Sequence, residues 1–261
     1  MAGINAAVEL LALLTAIVLL STGYLNVYAL AVVHAGYLIQ RSFRQPSTKT
    51  VKNQSESWIM WMIASPLGTV FARIATLIIT IQQATVSLAK ISNTLPQSDA
   101  VLGYTCATPE YLDPNLFTWS SHTLATLALL YAGSYVRFSA YAELGTNFTY
   151  RLAKPDQLVT SGLYAYVRHP SYTGLLAVLM AMYSLFFRQR GLLSCWAPLV
   201  DERLVKEDWV GYAIVIIGFS LPIWLFMVKR VGEEEAMMQK EFGQKWEQYC
   251  KRTKRFVPFV Y

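Results

Sequence analysis

The chain has 261 residues, of which 54% are hydrophobic and only 15% charged, and its net charge is +6. Typical globular domains carry about 25% charged residues, so the composition excludes an ordinary soluble domain and favours a helical membrane protein. Basic residues of membrane proteins gather in cytoplasmic loops, and no basic stripe interleaved with aromatics lies outside the apolar runs, so the charge does not call for nucleic acid.

A run of roughly 20 apolar residues crosses a bilayer core of about 30 Å. The first apolar block, 4–39, suffices for one tilted helix or for two short spans turning near Ser21, Thr22 and Gly23. It lacks a basic start and outruns the apolar region of a signal peptide, so it is expected to be retained. Residues 41–57 carry Arg41, Arg44, Lys49 and Lys52 with a proline and read as a loop. Trp58 and Trp61 suit interfacial anchors for a span over 65–88. That span contains Arg73, which would face a bundle interior or snorkel.

Residues 93–114 hold prolines, Asp99, Glu110 and Asp113 but no lysine or arginine. The next span covers 115–135 and continues as helix towards 144. Residues 146–167 mix polar and aromatic side chains. Further spans are expected at 171–187 and 209–228, on either side of a segment of both charges. Beyond them, 231–249 has helical spacing, with Met237, Phe242, Trp246 and Tyr249 on or near one face.

Loop charge sets the orientation. The basic 41–57 loop, the 137–168 stretch with Arg137, Arg151, Lys154 and Arg168, and the basic tail are expected in the cytoplasm. The 188–208 segment should then lie outside, although it holds Arg188, Arg190, Arg203 and Lys206, which conflicts with the same rule. Cys106, Cys195 and Cys250 have the spacing of neither a zinc site nor a disulfide framework. Spacing leaves open whether Cys106 and Cys195, both on the expected outer side, pair. The scattered His34, His122 and His169 add no metal-ligand cluster, so no metal is expected.

Two stretches carry candidate chemistry. No dinucleotide or phosphate-loop glycine pattern is present, so a Rossmann-type nucleotide site is not supported. The run from Thr160 to Gly174 contains Arg168-His169-Pro170-Ser171-Tyr172 where a cytoplasmic segment enters a span. Pro170 suits a helix first turn, whose unpaired N–H groups can bind an anion. His169 and Tyr172 could hydrogen-bond a ligand beside it. The same residues would equally serve a capped interfacial helix with an aromatic belt. The second stretch is Lys229-Arg230-Val231-Gly232-Glu233-Glu234-Glu235. It would serve as membrane anchoring followed by first-turn acids, or as an arginine for an anionic substrate beside a carboxylate for an amine-bearing cofactor.

Together these features resemble the isoprenylcysteine carboxyl methyltransferase family. The likeness rests on Ser161-Gly162-Leu163-Tyr164, Arg168 to Tyr172 with Gly174, Glu233-Glu234, Phe242-Gly243, Tyr249 and Pro258-Phe259, over roughly the last half of the chain. It implies an all-α, polytopic bundle of about five or six spans with a cytoplasmic C-terminal helix forming part of the cofactor pocket. Residues 1–136 would be N-terminal transmembrane helices and 137–261 the catalytic core. It also implies S-adenosylmethionine as cofactor, prenylated protein C-termini as substrates, and residence in the endoplasmic reticulum membrane with the active site facing the cytoplasm.

By position, Leu158, Val159 and Tyr164 would line the adenosine pocket. His169, Pro170, Ser171 and Tyr172 would border the amino-acid end and sulfonium of the cofactor. Glu234 would bind its polar groups, Arg230 would hold the substrate carboxylate, and Arg137 is a second candidate in or near the site. A C-terminal carboxylate, with a pKa of roughly 3.5, is already ionised near neutral pH, so no general base is required.

The chain departs from the family before Leu158, where a longer polar stretch is reduced to 153–157, and after the histidine box, where 175–180 is aliphatic. The connection between the last two spans is also long. These changes leave open a small lipophilic acid such as a terpenoid, or a phospholipid amine, as substrate. A non-catalytic scaffold or transporter subunit is the rival of another class; it would show no S-adenosylmethionine binding, and no internal repeat supports it.

Overall fold

The computed structural model describes residues 27–44, 66–91, 98–148, 154–196, 217 and 221–257. Expectations for the start of the first apolar block, for Trp58 and Trp61, for Arg151, for 197–208, for most of the 209–228 span and for Pro258-Phe259 lie outside these residues.

Seven helices are described: α1 Val27–Ser42, α2 Pro66–Ile91, α3 Ser98–Thr105, α4 Ser121–Leu144, α5 Pro170–Met182, α6 Leu221–Phe242 and α7 Gln244–Arg252. The described residues contain no strand; Val167 and Lys254 make an isolated bridge. Two stretches, Val70–Lys90 and Pro170–Cys195, are long and apolar enough to cross a membrane. Phe71, Ile78, Leu124, Trp224 and Leu225 are all more than half exposed, as side chains facing lipid would be.

Local chemistry fixes the helix ends. Ser120 and Thr123 form a reciprocal capping box at the start of α4, which satisfies orphan N–H groups. Pro170 occupies the first turn of α5, as expected, with His169 at the cap position. Past Met182 the helix loosens into one π turn, Tyr183–Phe187. The last helices differ from expectation. The helix of the final span runs on without interruption to Phe242 and breaks at Gly243, whose φ is +50°. Side chains rarely adopt that conformation and glycine does so at no steric cost. The 93–114 segment also differs from a plain loop, since it holds α3 and two single turns headed by Pro109 and Pro114.

Among the described helices, the close pair is α4 with α5. Where they cross, a methyl group on Gly174 would lie 2.7 Å from the Gly133 carbonyl oxygen and 2.7 Å from the Arg137 backbone nitrogen. Only glycine admits backbones at that distance, a recurring device between membrane helices. The core joins Tyr28, Val32 and Ile39 of α1 to Ala84 of α2, Leu130 of α4, and Val178 and Phe186 of α5 and its π turn.

The bundle has two distinct ends. At one, the start of α1, the ends of α2 and α5, and the 98–117 segment meet. Tyr28 donates to the Leu116 carbonyl at 2.8 Å, Thr108 to the Ser194 carbonyl at 2.7 Å, and the Asp113 N–H to the Arg190 carbonyl at 2.8 Å. Cys106 and Cys195 form a disulfide here across 89 residues of sequence. The pairing left open by spacing is therefore present. It also puts Cys195 at the end expected for the 93–114 loop, despite Arg188 and Arg190. The opposite end gathers the finish of α1 and α4, the start of α5, the lower half of α6, and α7.

Candidate active site

The site lies where α5 begins and α6 passes it. Arg230 and Glu234 are four residues apart on α6, so helical spacing puts them on one face. The Arg230 Nε donates to Glu234 Oε1 at 3.0 Å. Tyr172, on the first turn of α5, donates its hydroxyl to the same oxygen at 2.7 Å. The other carboxylate oxygen, Oε2, lies 3.8 Å from His169 Nδ1. Arg230 is 4% exposed and His169 7%, while Glu234 retains 23%. A buried arginine and a partly open carboxylate thus share a corner walled by two aromatic rings, those of His169 and Tyr172, 5.9 Å apart.

The approach to this corner is shaped by the turn Gly162–Ala165. Glu143, at the end of α4, accepts the Leu163 N–H on both carboxylate oxygens at 3.1 and 2.9 Å. Tyr164 is buried, and its carbonyl accepts the Tyr249 hydroxyl at 2.7 Å. Burial pushes the Tyr164 hydroxyl well above its ordinary pKa; the charges of Glu234 and Glu143 add to the rise and Arg137 opposes it. Burial likewise raises the Tyr249 hydroxyl.

The expected residues divide into three groups. Tyr172, His169, Arg230 and Glu234 come together directly. Pro170 and Ser171 are buried beneath them. The Ser171 hydroxyl and carbonyl accept Arg137 Nη1 at 3.0 and 2.9 Å, and Arg137 Nε donates to the Ser42 carbonyl at 2.7 Å. Arg137, 3% exposed, therefore ties α1 and α4 to the first turn of α5. Leu158 and Val159, half-buried, lie in the segment leading to the 162–165 turn.

Two contributors, Glu143 and Arg255, lie outside the stretches singled out in the sequence, and two more, Glu235 and Arg168, lie within them but carried no assigned role. Glu143 holds the turn. Glu235 accepts from His169 Nε2 at 3.2 Å and from Arg255 Nη2 at 2.7 Å, and Arg168 Nε stands 3.5 Å away. The adjacency of Glu235 to Glu234 was the available signal; Arg255 left none. Burial works to raise the Glu235 carboxyl, but hydrogen bonds from His169 and Arg255 and the charges of Arg168 and His169 outweigh it and hold the carboxyl at about 2.

This geometry spans both halves of the sequence pattern, R-H-P-S-Y before α5 and R-x-x-E-E on α6. Residues 124–210 match the isoprenylcysteine carboxyl methyltransferase (ICMT) family. The family resemblance is thereby shown over that segment. Similar curated proteins are named protein-S-isoprenylcysteine O-methyltransferases. The chain is 33% identical over 148 residues to a protein-S-isoprenylcysteine O-methyltransferase of Schizosaccharomyces pombe, covering 55% of this chain and 52% of that protein. It is 28% identical over 146 residues to protein-S-isoprenylcysteine O-methyltransferase B of Arabidopsis thaliana, covering 54% and 61%. It is 30% identical over 147 residues to the enzyme of that name from Homo sapiens, covering 55% and 43%. The matched stretch thus spans about half the length of these relatives.

Proposed function

We propose that the chain is an S-adenosylmethionine-dependent O-methyltransferase acting on the C-terminal carboxylate of prenylated cysteine in proteins. The observation that carries this reading is the convergence of Tyr172, His169 and Arg230 on the Glu234 carboxylate, within a chain similar to proteins named for that activity.

The residues fit the cofactor. An ionised carboxylate has about four lone-pair sites, and Tyr172 and Arg230 share one oxygen of Glu234. That leaves acceptor capacity on Glu234 for an ammonium group. When bound, S-adenosylmethionine supplies a methyl group on a sulfonium.

The remaining work falls to the chain. Glu234 binds and orients the amine end. Arg230 holds the substrate carboxylate through its planar, bidentate geometry in a corner that excludes most water. The substrate carboxylate is already ionised at neutral pH, so proximity and alignment, rather than proton transfer, are what the site must provide. Arg137 braces Ser171 and with it the first turn of α5.

The whole chain is proposed to form about five or six spans, in the endoplasmic reticulum membrane, with the site and the C-terminal helix on the cytoplasmic side. The Cys106–Cys195 disulfide at the opposite end supports this orientation, because disulfides persist in oxidising compartments such as that lumen. Arg230→Ala and Glu234→Ala are expected to stay membrane-inserted and to lose methyl transfer to a farnesylcysteine analogue. Normal turnover in both would overturn the site assignment.

A further inference from the structure

The C-terminal strap, residues 253–257, returns from α7 to lie along the entry to α5. The Arg168 N–H donates to the Lys254 carbonyl at 2.8 Å and the His169 N–H to the Arg255 carbonyl at 3.0 Å. The Thr173 hydroxyl donates to the Phe256 carbonyl at 2.8 Å. These bonds set the strap in register with His169 and deliver the Arg255 side chain to Glu235. Arg255 donates to Oε2 from Nη2 at 2.7 Å and from Nε at 3.1 Å, and its Nε also reaches Oε1 at 3.3 Å. Oε1 also meets His169 Nε2, at 3.2 Å.

We propose that Glu235, clamped by Arg255 of the strap, is a positioning residue that fixes the tautomer and orientation of His169, so that the Nδ1 lone pair stands beside the second oxygen of Glu234 as an acceptor for the cofactor amine. The inference rests on the reading of Glu234 as a cofactor-binding residue. An ionised carboxylate only accepts hydrogen bonds, so the His169 proton must sit on Nε2. Nδ1 is thereby turned towards Glu234 Oε2, 3.8 Å away. Tyr172 and Arg230 hold Oε1 of Glu234 from the other side. His169 Nδ1 and Glu234 Oε2 are then two acceptors 3.8 Å apart that one ammonium donor can share, and a chain that begins on the strap sets the first of them. The low pKa of Glu235 agrees with its staying ionised. A strap that merely closed the fold would need the Arg255–Glu235 pair but not the contact of Glu235 with His169.

The test is a double-mutant cycle on the full chain in detergent or nanodiscs, using Glu235→Ala, His169→Asn and the double variant. The readouts are S-adenosylmethionine affinity and turnover of a farnesylcysteine analogue. Each single change is expected to lower affinity or kcat/KM by about 10- to 100-fold, the usual effect of removing a group that orients a ligand-binding side chain. The double variant should lose no more than His169→Asn alone, and Glu235→Gln, which keeps an acceptor, should recover part of the loss. Fold-losses that multiply in the double variant would overturn the proposal. If Glu235→Ala does not fold, the same cycle is run with Glu235→Gln.

A second readout needs no turnover. In 15N-histidine spectra, the His169 signal, assigned by its loss in His169→Asn, should show a protonated, hydrogen-bonded Nε2. It should shift in the Glu235 variant while His34 and His122 stay in place. An unmoved His169 signal would overturn the proposal. A wild-type protein that neither binds S-adenosylmethionine nor methylates the analogue would instead refute the underlying functional reading, and the spectra would still decide the contact.

Discussion

Tyr172 donates a 2.7 Å hydrogen bond to Glu234 across 62 residues of sequence. That bond joins the first turn of α5 to the lower half of α6 and makes one site of two motifs. A hydrogen bond to a charged group is worth about 1.5–3 kcal/mol. Tyr172→Phe keeps the ring and removes the bond. S-adenosylmethionine affinity measured by calorimetry is expected to fall about tenfold or more, with the thermal midpoint little changed. Unaltered affinity would mean that Glu234 is oriented without Tyr172.

The crossing of α4 and α5 predicts opposite signs for two glycine substitutions. In an open helix, Gly→Ala gains about 1 kcal/mol, and Gly103 of α3 has nothing within 4 Å of an added methyl group. At Gly174 the same methyl group meets backbone atoms of Gly133 and Arg137, which cannot rotate away. Gly174→Ala is expected to destabilise by about 1–3 kcal/mol and Gly103→Ala to be neutral or mildly stabilising. Thermal melting of both variants in one detergent checks the pair.

The disulfide predicts a pattern of thiol reactivity. With Cys106 and Cys195 paired and Cys250 a free thiol, a maleimide should label Cys250 alone until a reductant is added. In sealed microsomes, an impermeant maleimide added from the cytoplasmic side should reach Cys250 and neither of the others. Cys106→Ser should lower stability by on the order of 2–5 kcal/mol. Labelling of Cys106 without reduction would contradict the pairing.

Acid should act through Glu235. Its folded-state pKa of about 2 lies below the ordinary carboxyl value of 4.5. A depressed carboxylate contributes stability that is fully present above its unfolded pKa and is lost as pH falls towards the folded value. Between roughly pH 4.5 and pH 2 the melting temperature of the wild type should therefore drop more steeply than that of Glu235→Gln. Parallel curves would show that the carboxylate is not held by His169, Arg168 and Arg255.

Local rules made part of this molecule legible. Apolar run lengths locate α2, α4 and α5, Pro170 marks the start of α5, and i,i+4 spacing pairs Arg230 with Glu234. The alternation of basic and non-basic loops anticipates which segments share an end. What stayed hidden depends on contacts between distant residues. No spacing rule joins Cys106 to Cys195 over 89 residues, or brings Arg255 back to Glu235 and His169. Gly243 was a local signal for the break between α6 and α7. Its effect was obscured because Met237, Phe242, Trp246 and Tyr249 keep one apolar face across the break.

Titration of the purified full-length protein with S-adenosylmethionine, followed by methylation of a farnesylcysteine analogue, tests the central claim most directly. The account predicts saturable cofactor binding, transfer of labelled methyl to the analogue as a base-labile ester, and loss of both in Glu234→Ala. Saturable binding with no ester formed would contradict the prenylcysteine substrate, and the absence of binding would contradict the methyltransferase reading as a whole.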